Sequence, residues 1–92
     1  MTLNLFPASG RPTAVHTLRL KHVEAIIWYQ KRSFFGQARY SVSLQRHYLW
    51  KATKQYKTTT RMGRDDIPLA VMALKEAYKW ILVQEDAWTG LE

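Results

Sequence analysis

Acidic residues are almost missing from the first two thirds of this chain: between Met1 and Arg64 a single acid, Glu24, stands against 12 Lys or Arg, a formal +11. A merely solvated surface mixes Glu with Lys, so the depletion argues against an indifferent exterior and points to a polyanionic partner. Cysteine is absent altogether, which removes disulfides, thiolate zinc sites and cysteine nucleophiles together. No apolar run approaches the roughly 20 residues needed to cross a bilayer. The start MTLNLFPASGRP lacks the basic region and long apolar stretch of a secretory signal, and the expectation is a cytoplasmic protein with no membrane partner.

Catalytic patterns are missing too. No G-x-x-x-x-G-K, G-x-S-x-G or paired-carboxylate motif occurs, and His16, His22 and His47 are not at metal-ligand spacing with each other or with an acid. Asp65-Asp66, the one acid pair, sits directly before Ile67-Pro68, where helix capping is its ordinary job. No enzyme, cofactor or metal is expected.

What is present is a short, basic and aromatic chain. Its 92 residues make one domain, and 47 % hydrophobic content is enough for a core, although a chain this short buries only about 60–65 % of the surface its unfolded form exposes. After Arg64 the sign reverses, with Lys75 and Lys79 against Asp65, Asp66, Glu76, Glu85, Asp86 and Glu92 (2 − 6 = −4), and +11 − 4 gives the net +7.

Pro7, Ser9, Gly10 and Pro12 interrupt any periodicity near the start, so residues 1–14 are expected to form a flexible arm. From Thr17 to Lys31 β-branched and aromatic residues alternate, predicting one long strand or two short ones joined by a bulge near Lys21 and His22. RSFFGQ then supplies a tight connection, and ARYSVSLQRHYL resumes the period of two, completing an antiparallel hairpin. Leu49–Gln55 reads as a loop and Tyr56–Met62 as a third strand, favoured by its threonines.

GRDDIP signals a helix start, with Asp65 or Asp66 as cap and Pro68 in the first turn. Beyond it Ile67, Ala70, Val71, Leu74, Ala77, Tyr78 and Ile81 recur at three- and four-residue steps, a stripe expected to lie on the sheet. The whole is an α+β domain over residues 15–86, a twisted antiparallel sheet of three to four strands on one C-terminal helix, with 87–92 a frayed tail.

Three groups of residues carry functional chemistry. A sheet covered on one side leaves the other open, here expected to show Arg39, Ser41, Ser43, Gln45, Lys57, Thr59 and Arg61, with Trp28 as a further candidate. Cations release counterions on binding phosphate, and exposed rings stack on bases at about 1–3 kcal/mol each. The hairpin connection sets Lys31 and Arg32 beside Phe34 and Phe35, rings suited to a base, to the core or to a second subunit.

In QRHYLW, Arg46, Tyr48 and Trp50 fall at spacing two. Arg46 would share a face with Val42 and Leu44, where an unpaired guanidinium is not tolerated. Either the strand bends, bulges or runs past the helix, or Arg46 pairs with Asp65 or Asp66.

The order of strand, basic-aromatic turn, strand ending in R-x-Y, loop, Thr-rich strand and amphipathic helix resembles the positive-cofactor type of transcriptional coactivator. That family binds single-stranded DNA and shares the architecture of the plant Whirly proteins. AIIWYQKRSFFGQARYSVSLQRHYLW parallels the family's first hairpin, and YKTTTRMGRDDIPLAVMALKEAYKWI its last strand and helix. The resemblance implicates Arg46 with Tyr48 or Trp50, Lys31, Arg32 and Phe34 or Phe35, and also Lys57 and Arg61, in contacting DNA. It further implies a homodimer whose helices contribute to the subunit contact, and a transcription-related role. The chain is also similar to small bacterial proteins of unknown role that share the G-R-D-D-x-P stretch.

The expected function is therefore sequence-tolerant binding of single-stranded DNA or RNA through Lys31, Arg32, Phe34, Phe35, Arg39, Arg46, Tyr48, Trp50, Lys57 and Arg61. A protein-interaction or dimerisation module that binds an acidic partner is the alternative these residues leave open.

Overall fold

The computed structural model describes residues 12–31 and 39–89, with side chains described as far as residue 86. Four strands form one antiparallel sheet in the order β1-β2-β3-β4, namely β1 Thr13–Leu20, β2 Val23–Tyr29, β3 Tyr40–Trp50 and β4 Gln55–Thr59. A short 3-10 turn, Arg64–Asp66, leads into the single helix α1, Ile67–Thr89, which lies across β1, β2 and β3. The α+β class, the antiparallel sheet and its C-terminal helix are as expected.

Of the two alternatives for the first stretch, two strands form, joined by a turn where a bulge was expected. Leu20 pairs with Val23 across a two-residue turn, Lys21-His22, in which Lys21 holds φ 57°, so the chain reverses there instead of bulging. The bulge lies in β1, at Val15, where two residues of β1 span one step of β2. β1 also begins at Thr13, which brings residues 13 and 14 of the expected arm into the sheet. At the other end α1 reaches Thr89, past the expected fraying at residue 87, because no Gly or Pro interrupts Leu69–Thr89.

Strand parity decides the faces. Leu18, Leu20, Val23, Ala25, Ile27, Tyr40, Val42 and Leu44 point towards α1, while Thr17, Arg19, Glu24, Ile26, Trp28, Ser41, Ser43 and Gln45 line the opposite side. The core is thin: Val23, Ala25 and Ile27 of the sheet meet Ala70, Ala73 and Ala77 of the helix, and among the described residues only Ile27 and Val23 are large side chains fully buried. Leu69, Trp80 and Ile81 seal its edges.

Here the expected helix stripe needs correction. Ala70, Ala77 and Ile81 do face the sheet, but Ile67, Val71, Leu74 and Tyr78 are exposed. Helix and sheet approach closely where the residues between them are small, and that selects the alanine row over the bulkier one.

Candidate nucleic-acid interface

β3 outruns its neighbour. The last β2 residue in register is Val23, opposite Arg46, and beyond it the one backbone bond that ties β3 to that side among the described residues is from the His47 N–H to the His22 carbonyl, at 2.8 Å. From Tyr48 to Trp50 the strand pairs with Lys57 to Gln55 alone, so the end of the β3–β4 hairpin projects as a two-stranded arm. The register through Arg46 is regular, so β3 does not bulge there.

Residues 51–54 close the arm. Thr53 N–H bonds the Trp50 carbonyl at 3.3 Å, and Lys54 takes φ 55° to turn the chain back into β4.

Direct pairing puts Arg46 with Thr59, Tyr48 with Lys57 and Trp50 with Gln55 on the helix side of the sheet. The arm's rings and cations interlock there. Lys57 Nζ stands 5.0 Å from the centroid of the Trp50 ring, the Arg46 guanidinium carbon 5.7 Å from that of Tyr48, and the two rings meet edge to face at 6.4 Å. Such cation–ring contacts hold the rings in place at about 0.5–1 kcal/mol each when exposed. The opposite face of the arm carries His47, Leu49, Tyr56 and Thr58, with Tyr56 76 % exposed. From Arg46 to Arg64 the sequence holds six cations, Arg46, Lys51, Lys54, Lys57, Arg61 and Arg64, and no acid.

The root of the arm is held by Asp66. Its carboxylate accepts from Gly63 N–H at 2.8 Å and from His22 Nε2, and forms an ion pair with Arg46, whose Nε lies 3.0 Å away. Gly63 returns the favour of geometry through its carbonyl, which accepts the Asp66 N–H at 3.0 Å. These bonds, His22 first and the Gly63 N–H second, hold the Asp66 carboxyl below its ordinary pKa. Of the two candidate caps, Asp66 is the one turned inward, and Asp65 is exposed. Arg46 also donates to the Arg61 carbonyl at 3.2 Å, so its guanidinium is committed to the fold, as the pairing alternative requires.

On the open side of the sheet a second network surrounds Glu24. Gln45 Nε2 donates to Glu24 Oε1 at 2.5 Å, and His47 Nε2 lies 3.0 Å from the same oxygen. The Gln45 bond is the main cause that lowers the Glu24 pKa, partly offset by burial. Trp28 is pinned through its indole N–H to Ser43 Oγ at 2.9 Å.

The expected site residues therefore separate. Arg46, Tyr48, Trp50, Lys57 and Arg61 come together at the arm. Lys57 and Thr59, expected on the open side with Ser41, Ser43 and Gln45, lie on the helix side instead, because their partners in β3 do. Lys31 follows β2 at its other end, eight residues from Val23 and thus about 26 Å from Arg46 along the sheet. It sits there with Arg39, whose Nη1 donates to the Lys31 carbonyl at 2.7 Å. Arg32, Phe34 and Phe35 lie outside the described residues.

Sequence reasoning missed Lys51, Lys54 and Tyr56, which it assigned to a loop and a strand start. The signal was there: three rings and three cations fall between Tyr48 and Lys57 with no acid among them. It also missed the carboxylate partners of His22 and His47, which come from 44 and 23 residues away. Among the described residues no group of His and acids suits a metal ion, and no helix is long and apolar enough to cross a membrane. Comparison with known protein families, with curated proteins and with solved structures finds no match to this chain.

Proposed function

We propose that the protein is a non-enzymatic, sequence-tolerant binder of single-stranded nucleic acid, with the β3–β4 arm as its principal contact. DNA is the form favoured by the resemblance to the coactivator family. The observation that carries the proposal is the pair Tyr48 and Trp50, braced by Arg46 and Lys57 on an arm whose flanks hold further lysines and no acid. Rings need bare base faces, which a single strand offers and a duplex keeps stacked. Lys51, Lys54, Lys57 and Arg61 supply phosphate contacts. Arg46, bound to Asp66, acts as a positioning residue that steadies Tyr48. Lys31 and Arg39 form a separate basic end that a longer strand reaches by crossing the sheet.

Fluorescence anisotropy with labelled oligo-dT, oligo-U, duplex DNA and an acidic polypeptide, each at two salt concentrations, tests this. Single strands should bind tightest, with a log-log salt slope of about −0.7 per neutralised phosphate, near −3 for four contacts. Equal binding of duplex, or tighter binding of the acidic polypeptide, sinks the proposal, and the latter establishes the protein-interaction alternative.

A further inference from the structure

β3 has a neighbour on both sides only where β4 accompanies it. β2 pairs with it from Tyr40 to Arg46, but β4 pairs with Arg46–Trp50 alone and then leaves for the 3-10 turn. Tyr40–Gln45 therefore has no described strand on its second side. Two bonds fix which groups point there. Gln30 N–H to the Arg39 carbonyl and His47 N–H to the His22 carbonyl, both 2.8 Å, tie the odd-numbered residues of β3 to β2. Successive residues of an antiparallel ladder turn their N–H and C=O to opposite sides, so those of Val42 and Leu44 face the open edge, where no described strand or turn takes them up. Proteins guard such an edge with Lys, Pro or a bulge. YSVSLQ has none of these, and its register is regular.

The helix leaves a second surface unmatched over the same edge. Trp80 stacks on His16 of β1 at 4.7 Å, and at 100° per residue Ile67, Leu74 and Tyr78 lie about 120–160° round α1 from it. That is the flank towards the open edge of β3, and Glu85 on it stands near Tyr40. Ile67, Leu74 and Tyr78 are 53, 42 and 61 % exposed, where a solvated helix carries charge.

We propose that this edge receives an extended segment of another protein, added as a strand beside Tyr40–Gln45, with apolar side chains at alternate positions turned towards Leu74 and Tyr78. One occupant then answers both observations: its backbone bonds Val42 and Leu44, and its side chains cover the helix flank over about 20 Å of strand. A helix laid there would leave the backbone row unpaired, and a nucleic acid would set phosphates against apolar surface. Charge gives the direction. Arg61, whose carbonyl accepts from Arg46, is exposed at the arm end of the slot, and Glu85 stands at the other. A segment parallel to β3, basic where it enters and acidic where it ends, meets both. The proposal does not depend on the ligand of the arm.

The probe is a fluorescein-labelled peptide that begins with lysine, alternates valine with threonine and ends in two glutamates. It should bind the full chain saturably and slow amide hydrogen exchange at Val42 and Leu44 at least tenfold, with Ser43, already bonded to β2, unchanged. In a parallel strand the threonines supply the bonds to β3, so N-methylating them should abolish binding and N-methylating the valines should not. Val42→Pro removes an N–H that no bond of the described fold uses, and Leu74→Glu charges the helix flank. Each should weaken the peptide at least tenfold with an unchanged far-ultraviolet circular dichroism spectrum, whereas Met72→Glu, on the β1 flank, should bind as wild type. Absence of binding, binding without protection of Val42 and Leu44, or binding that survives Val42→Pro overturns the proposal. So does protection of these amides in the peptide-free protein that vanishes on dilution, because a second copy then fills the slot. Loss of binding on methylating the valines instead overturns the parallel direction.

Discussion

Arg46 in β3 reaches Asp66 at the entrance to α1, Nε to Oδ2 3.0 Å, with the Arg46 side chain 27 % and the Asp66 side chain 11 % exposed. The contact joins the sheet, the helix start and, through Arg61 and Tyr48, the base of the arm. Removing either partner leaves the other charge short of water and of a counterion. Asp66→Asn should lower the melting temperature by on the order of 5 °C, whereas Asp65→Asn, at an exposed position, should change it little. Arg46→Ala should destabilise comparably and also weaken oligo-dT binding, and the double variant should lose less than the sum of the two. Strict additivity in thermal melts would show the pair to be uncoupled.

Acid should unfold the protein by way of the same carboxylate. Asp66 and Glu24 both have folded pKa values below their ordinary ones, so between the folded and unfolded values the unfolded chain binds more protons. Their stabilisation is complete above the unfolded values of about 4 and is lost as pH falls through the folded ones. Urea midpoints should hold from pH 7 to pH 5 and then drop as the pH falls below about 4. Asp66→Asn should start lower at pH 7 but lose less across the acid range. A parallel fall in both proteins would remove Asp66 from the explanation.

How much of this was legible in the sequence depends on whether the deciding contact was local. Alternation in β2 and β3 and the capping signal at Asp65-Asp66 are local, and they led to an α+β sheet with a C-terminal helix. The turn at Lys21-His22 has no Gly, Asn or Pro to mark it, and Lys21 adopts positive φ without the residue type that signals it. The helix is apolar over most of its circumference, so periodicity picked out the bulkier row, while the fit to the sheet, a tertiary matter, picked out the alanines. Lys57 was assigned to the wrong side because its face is set by pairing with Tyr48, and that register depends on a four-residue loop whose ends the sequence leaves open. The arm as a site was half legible: its rings stood out, but that they project clear of the body follows only from β2 ending its pairing at Val23.

The inward alanines make a sharp prediction of their own. Ala73 is fully buried between helix and sheet, so Ala73→Leu should cost about 1–3 kcal/mol through overpacking. Ile27→Ala, which empties one of the two large buried positions, should cost about 2–5 kcal/mol. Met72→Ala, one residue along the helix from Ala73 but exposed, should stay within about 0.5 kcal/mol of wild type. Chemical denaturation of the three measures all of this, and a tolerated Ala73→Leu would mean that the helix stands farther from the sheet than its alanine face indicates.

Two lysines in left-handed backbone separate stability from binding. Lys21 at φ 57° and Lys54 at φ 55° each carry a Cβ where glycine is at ease. The relief of about 1–2 kcal/mol is partly offset by glycine's greater unfolded-state freedom, so Lys21→Gly and Lys54→Gly should each stabilise by about 0.5–1 kcal/mol. Only Lys54 lies on the arm. Its replacement should also make the log-log salt slope for oligo-dT shallower by about 0.7, the signature of one lost phosphate contact, while Lys21→Gly should leave that slope unchanged. A binder whose affinity arose from net charge alone would respond equally to the two, since each removes one positive charge. A difference between them in titrations at several salt concentrations therefore locates the contact on the arm, in a variant that is more stable than the parent and cannot have lost affinity by unfolding.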